Sequence, residues 1–364
     1  MSLLFLLLIP HLFAATVKQQ YSGGVKPLTE LRTDLIDKKT KGSIEFARLG
    51  QHISPKDFGA WNHFTSFIER HDKVYRNESE ALKRFGIFKR NLEIIRSAQE
   101  NDKGTAIYGI NQFADLSPEE FKKTHLPHTW KQPDHPNRIV DLAAEGVDPK
   151  EPLPESFDWR EHGAVTKVKT EGHCAACWAF SVTGNIEGQW FLAKKKLVSL
   201  SAQQLLDCDV VDEGCNGGFP LDAYKEIVRM GGLEPEDKYP YEAKAEQCRL
   251  VPSDIAVYIN GSVELPHDEE KMRAWLVKKG PISIGITVDD IQFYKGGVSR
   301  PTTCRLSSMI HGALLVGYGV EKNIPYWIIK NSWGPNWGED GYYRMVRGEN
   351  ACRINRFPTS AVVL

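Results

Sequence analysis

The chain has 364 residues, of which 41% are hydrophobic, 10% aromatic and 26% charged. Those proportions belong to a soluble globular protein with room for two or three structural units. A formal net charge of −1 gives no electrostatic basis for nucleic acid or an acidic membrane surface as the main partner.

Residues 3–8 read LLFLLL, and Ala14 and Ala15 follow. The run is far shorter than the roughly 20 residues of a membrane span, so 1–15 reads as a secretory signal, and no later stretch is apolar enough to cross a bilayer. Residues 16–57 are polar, lack periodicity and read as a loose N-terminal extension. From about Phe58 to Gln99 the pattern is helical. Glu80, Arg84, Phe88, Asn91, Ile95 and Gln99 recur every three or four residues, which places them on one face of a single long helix with Glu80 and Arg84 able to pair. On spacing alone this is an ordinary amphipathic helix with a polar seam. Residues 127–154 are rich in Pro, Asp and His and read as an extended linker, where proteases cut easily. The expected boundary between two functional parts falls there.

Beyond the linker, Trp178, Val182, Ile186 and Trp190 recur at helical spacing, predicting a buried helix over 178–193. Ser201-Ala-Gln-Gln204 has the form of a capping box opening a short helix to Cys208. Pro220 starts a third helix that Gly231-Gly232 ends, and a fourth, about 268–279, stops at Gly280-Pro281. Then the pattern turns to strands: 282–288, 312–319, 326–333 and 341–346. The C-terminal part is therefore α+β, helical first and β-rich second.

All seven cysteines lie between Cys174 and Cys352. An odd number in an oxidising compartment implies pairs plus one free thiol, and the count alone leaves open whether that thiol is reactive or a buried spectator. The sequons Asn77-Glu-Ser and Asn260-Gly-Ser fit the secretory route. Cys177 opens the buried helix, where unpaired N–H groups and the helix dipole favour a thiolate. Such a nucleophile needs a base and a group to orient it. His311, just before one apolar strand, and Asn331, within another, qualify, and both belong to the β-rich half.

The segments CAACWAFS (174–181), HGALLVGYG (311–319) and NSWGPNWGEDGYYR (331–344) resemble the cysteine, histidine and asparagine regions of the papain family. His311 and Asn331 follow Cys177 by 134 and 154 residues, a spacing of the papain and cathepsin kind. The helical face from Glu80 to Gln99 and GINQFAD (109–115) resemble that family's inhibitory propeptide, in a form between the cathepsin L and cathepsin F types. Gln99 and the ending SAVVL (360–364) point to the cathepsin F-like branch.

The resemblance implies a two-lobed papain-like fold behind a helical propeptide, with residues 58–152 as propeptide and 153–364 as the mature peptidase. It implies a cysteine endopeptidase with Cys177 as nucleophile, His311 as base, Asn331 orienting His311, and Trp333 covering their contact. It implies bridges Cys174–Cys215, Cys208–Cys248 and Cys304–Cys352. Gly217 and Gly218 would pair with substrate backbone. Phe219, Pro220, Gly285, Met309 and Gly312 would line the pocket for the side chain two residues before the cut, with Phe357 as its floor. An aromatic floor favours medium aliphatic side chains over arginine. Further implications are polypeptide substrates, the propeptide as an intramolecular inhibitor, cystatin-type inhibitors, no cofactor or metal, a monomer, and a lysosomal or extracellular destination.

The chain departs from the family at Glu171, where a glutamine normally donates to the oxyanion. An ionised carboxylate has no donor, and losing one such donor costs about 10²–10³ in rate. Protonated, Glu171 regains an O–H, so the expectation is an enzyme weakened or confined to acid pH. His173 and Ala175 replace the usual serine and glycine, and His173 is placed to pair with Glu171 and keep it ionised. Two alternatives stand beside the peptidase. One is a papain-fold binding protein with impaired catalysis. The other is a redox or metal protein built on Cys174-Ala-Ala-Cys177, for which a second CxxC or an HxxxH is lacking.

Overall fold

The computed structural model describes residues 49–51, 53–127, 139–288, 291–302, 304 and 310–364. The signal expected over 1–15, nearly all of the 16–57 extension and the Pro-rich first part of the linker lie outside them. Residues 1–56 and 57–364 separate as two units, and all the elements below belong to the second.

The helical stretch expected from Phe58 to Gln99 is two helices, α1 (Phe58–Arg70) and α2 (Glu78–Asn101). Asp72 turns the chain with φ 47°, and Asn77 restarts the helix by accepting the Glu80 N–H at 3.0 Å. Glu80 and Arg84 do not pair. The Glu80 carboxylate accepts the Arg76 N–H, whereas Arg84 reaches Glu120 of α3 (Pro118–His125) at 2.7 Å and the Asp115 carbonyl at 3.0 Å. The polar seam of α2 serves the following loop rather than solvent. Asn91 Nδ2 donates to the carbonyls of Ala114 and Leu116, and Gln99 bonds both the Ala106 carbonyl and the Tyr108 N–H. Apolar residues of the same helix close on α1, Phe88 lying 5.3 Å from both Phe64 and Phe67.

The remaining elements are β1 (Ile107–Tyr108), β2 (Phe157–Asp158), α4 (Cys177–Lys194), α5 (Ala202–Cys208), α6 (Pro220–Met230), β3 (Gly261–Glu264), α7 (Glu269–Lys279), β4 (Ile282–Thr287), β5 (Tyr294–Gly296), β6 (Val298–Ser299), β7 (Ile310–Glu321), β8 (Ile324–Lys330), β9 (Tyr342–Val346) and β10 (Thr359–Val362). The main sheet has the order β3-β10-β4-β7-β8-β9-β6, with β2 added on β7. β1 pairs antiparallel with β5, so the upstream part adds a strand to the downstream one. Ser201 caps α5, accepting the Gln204 N–H at 2.9 Å. The Gln204 side chain turns instead to the Gly232 carbonyl and the Glu234 N–H, so the box is half formed.

Helix α4 is buried nearly all round, with Trp178, Val182 and Ile186 fully buried and Ser181, Thr183, Asn185 and Glu187 buried beside them. Polar contacts tie it to its neighbours: Ser181 Oγ donates to the Ala313 carbonyl of β7, and Asn185 Oδ1 accepts from Tyr224 Oη of α6 and the Ala361 N–H of β10. The helical lobe thus rests against β7 along α4, and the residues of the site lie at that seam. Among the described residues, no helix is long and apolar enough to cross a membrane.

Candidate active site

Cys177 is the first residue of α4, and its N-cap, Ala176, offers no side-chain cap, so the N–H groups of Cys177 and Trp178 are left to face the sulfur. Three ties fix this turn: the Cys174–Cys215 disulfide, the Trp178 Nε1–H bond to the Gly214 carbonyl at 3.1 Å, and the Ala175 N–H bond to the Cys215 carbonyl at 3.3 Å. Because Cys174 is bridged to Cys215, Cys174-Ala-Ala-Cys177 is not a redox pair. Cys208–Cys248 and Cys304–Cys352 are the other two bridges, and Cys177 is free and buried.

The sheet delivers the partners. Gly312 of β7 donates its N–H to Cys177 Sγ at 3.2 Å. A Cβ on Gly312 would stand 2.9 Å from the Cys177 carbonyl oxygen and 3.0 Å from the Trp178 nitrogen, so glycine is what lets β7 come this near α4. His311, one residue earlier, shares Nε2 with Asn331 Oδ1 at 2.7 Å. An amide oxygen can only accept, so Nε2 carries the proton and Nδ1 is the basic nitrogen. Nδ1 is buried with no hydrogen-bond partner. Asn331 is itself held, its Oδ1 also accepting the Ser332 N–H, and the Trp333 ring lies 4.8 Å from that of His311.

Electrostatically the site is quiescent. Burial pushes the Cys177 thiol well up, with the nearby Glu171 adding to the effect, while the N–H groups of Gly312, Trp178 and Cys177 act the other way. Burial also brings His311 down to about 4, against the favourable bond to Asn331. Both groups are therefore held neutral while covered. The Glu171 carboxyl is fully buried as well. Its Oε1 accepts the Trp333 Nε1–H at 2.7 Å and its Oε2 the Ser332 hydroxyl at 3.2 Å, and burial outweighs these bonds and raises it well above the carboxylate range. Expected pairing with His173 is not found: that ring lies 5.9 Å from His125 of α3.

The upstream part covers this corner. Phe113 and Phe121 pack edge-on against Trp333 at 5.9 and 5.0 Å, and Gln112 Nε2 donates to the Trp333 carbonyl. His125, only 5% exposed, stacks on Phe121 at 4.8 Å. Spacing did not single out Gln112, His125 or Ser332; each has a partner remote in sequence, Trp333, His173 and Glu171 respectively.

Of the expected substrate residues, Gly218 is pressed against Trp178, where a Cβ would come within 2.5 Å of the indole, and Gly217 has φ 134°. Gly285 and Gly312 are opposed in the β4–β7 register. Phe219 meets Phe357 edge-on at 5.5 Å, beside Pro220 at the start of α6. Met309 lies outside the described residues. Asn77 and Asn260 are both exposed.

Residues 153–362 match the family model "Papain family cysteine protease", and 64–121 match "Cathepsin propeptide inhibitor domain (I29)". The chain is 46% identical to cathepsin F of Mus musculus over 82% of its length and 64% of that protein. It is also 46% identical to cathepsin F of Drosophila melanogaster, over 88% of this chain but 54% of the other. The chain thus spans less than two thirds of either relative. A viral cathepsin of Spodoptera litura multicapsid nucleopolyhedrovirus is 43% identical over 83% of this chain and 91% of its own. Among solved structures, digestive procathepsin L2 proteinase from Tenebrio molitor larval midgut superposes with a TM-score of 0.77 at 34% identity, over 84% of this chain and all of the other.

Proposed function

Since this chain belongs to the papain family of cysteine proteases, behind a cathepsin-type propeptide, we propose that it is the precursor of a cysteine endopeptidase of cathepsin F-like type. The observation that carries the reading is the unbridged Cys177 at a helix N-terminus, bonded by Gly312 beside a histidine whose one free nitrogen is Nδ1. Residues 1–15 would be the signal, 16–57 an extension, 58–152 the propeptide and 153–364 the mature enzyme, bound for a lysosome or the extracellular space, with glycans at Asn77 and Asn260.

In the reaction, Cys177 gives its proton to His311 Nδ1, and the thiolate attacks the scissile carbonyl carbon. His311 returns that proton to the departing amine, leaving a thioester; water, deprotonated by His311, releases the acid and restores the thiol. Asn331 holds the imidazole tautomer throughout. Propeptide docking keeps both groups neutral and covered, which is latency in electrostatic form.

Glu171 sets the pH range. As a neutral acid its Oε1 accepts from Trp333, as an amide oxygen would, and an O–H on Oε2, which meets the Ser332 hydroxyl in the covered chain, would turn to the oxyanion in place of an amide N–H. Ionised, it would oppose the same charge, so activity belongs to acid pH. Phe357 and Phe219 bound the pocket for the residue before the cut's neighbour, favouring medium aliphatic side chains over arginine; a fluorogenic dipeptide panel with arginine strongly preferred would refute that.

The test of the whole reading is acid maturation followed by an epoxysuccinyl probe, which labels Cys177 in the wild type and nothing in C177A, alongside peptide hydrolysis. Glu171 also favours a second reading, an impaired peptide-binding protein. Retained peptide binding without labelling or hydrolysis at any pH would select it.

A further inference from the structure

The loop joining α5 to α6, residues 209–219, holds three carboxyls that the reaction does not use, two of them turned inward. Asp209 Oδ1 accepts the N–H groups of Val211 and Asp212 at 2.8 and 3.0 Å, and Asp212 Oδ1 accepts the Phe219 N–H at 2.7 Å. The second oxygen of each, Oδ2, is buried with no donor on it. Because Asp209 Oδ1 holds the Asp212 N–H, the two side chains are neighbours across one turn, and both carboxyls are shifted upward by burial, Asp212 next by the charge of Asp209. Like charges this close cannot both be ionised without something positive between them.

The cation whose charge reaches Asp209, Arg229, is already paired with Glu226. Glu226 and Asp222 of α6 face Asp209 and Asp212 respectively and add repulsion, and the nearby cations are committed to those residues: Arg229 to Glu226 at 2.8 Å and Lys225 to Asp222 at 2.9 Å. Glu213 on the same loop is exposed. Among the described residues, neither Asp209 nor Asp212 forms an ion pair.

We propose that Asp209 and Asp212 share one proton between their Oδ2 atoms, and that this link positions the strip Gly217–Phe219 for the substrate backbone. The second half rests on the reading of that strip as substrate-binding. The proton comes from solvent, forms one O–H bond, and returns to solvent when the pH rises. Asp212 is a positioning residue: it acts through the Phe219 N–H, while the disulfide to Cys174 and the Trp178 bond to Gly214 tie the rest of the loop to α4.

D212N separates this from plain structural support, because its amide keeps an acceptor for Phe219 and turns a permanent donor toward Asp209. In the full chain, the infrared difference between wild type and D212N should show the carbonyl stretch of a neutral carboxylic acid at neutral pH. Amide exchange of Gly217–Phe219 should rise with pH beyond its intrinsic dependence in wild type only. After acid maturation, wild-type KM should stay level through neutrality and climb about fivefold as the pH rises through about 9, where Asp212 gives up its proton, whereas that of D212N stays level. Absence of the difference band, or parallel exchange and KM curves, overturns the proposal. So does a wild-type KM raised by EDTA and restored by calcium, which would put a cation in place of the proton. If neither protein cleaves peptide or is alkylated at Cys177, the peptidase reading fails, while the infrared and exchange data still decide the pair.

Discussion

Replacing His125 by phenylalanine should make the propeptide hold on in acid. His125 is packed against Phe121 and Phe113 at 4.8 Å each, with the His173 ring 5.9 Å away on the domain it covers. Burial, then the charges of His173, His311 and Lys73, bring it down to about 4, with a backbone bond at Phe121 opposing them. Released into solvent, it regains the ordinary value of 6.5. Docking therefore favours the neutral imidazole: this contribution is complete above about pH 6.5 and is lost as the pH falls toward about 4. At pH 5 the released form binds the extra proton and the docked form does not, which weakens docking about 30-fold, or about 2 kcal/mol.

Phenylalanine keeps the ring packing and removes the proton. The measurement is amide exchange of α2 and α3 against pH in the full chain carrying C177A to prevent processing, with and without H125F. The double variant should open at lower pH, and the two curves should converge above neutrality. Superimposable curves through the acid range would show that this histidine takes no part in release.

E171Q should raise kcat/KM most at neutral pH, by about 10²-fold, and least in acid, where the native carboxyl is already a donor; equal ratios at every pH would refute the role given to Glu171. Removing the Cys174–Cys215 bridge, which closes a separation of 41 residues, should cost about 4 kcal/mol in urea unfolding. N185A removes the side chain that joins α4 to Pro281, Tyr224 and Ala361, and should destabilise the matured enzyme by about 3 kcal/mol in the same assay.

The strongly periodic and punctuated parts of this chain were legible from sequence. Helix α4 announced itself by Trp178, Val182 and Ile186, α6 by Pro220 and Gly231, and the three bridges by resemblance. What sequence could not supply was direction. The face from Glu80 to Gln99 has the spacing of a solvated seam, yet Asn91 and Gln99 satisfy the backbone of residues 106–116, and Arg84 leaves Glu80 for Glu120. A local pair between Glu80 and Arg84 is worth only about 0.3–0.5 kcal/mol on a helix surface, so a partly buried partner on another element easily displaces it. His173 follows the same logic. It neighbours Glu171 in sequence, but the loop aims it at α3.

On the proposed reading, latency and acid dependence come from one cause. Cys177, His311, Glu171 and His125 are all buried in the covered chain, and burial favours the neutral form of each. For Cys177 and His311 neutrality means no ion pair and no attack; for Glu171 it preserves a donor; for His125 it makes the cover itself the proton-sensitive element. Acid would then favour loss of the cover and retention of the proposed Glu171 donor at once, while neutral pH would favour the cover and threaten the donor. A carboxylate where the family uses an amide would be a defect in an enzyme working at neutral pH. In one uncovered only by acid, it confines the chemistry to the conditions that release it.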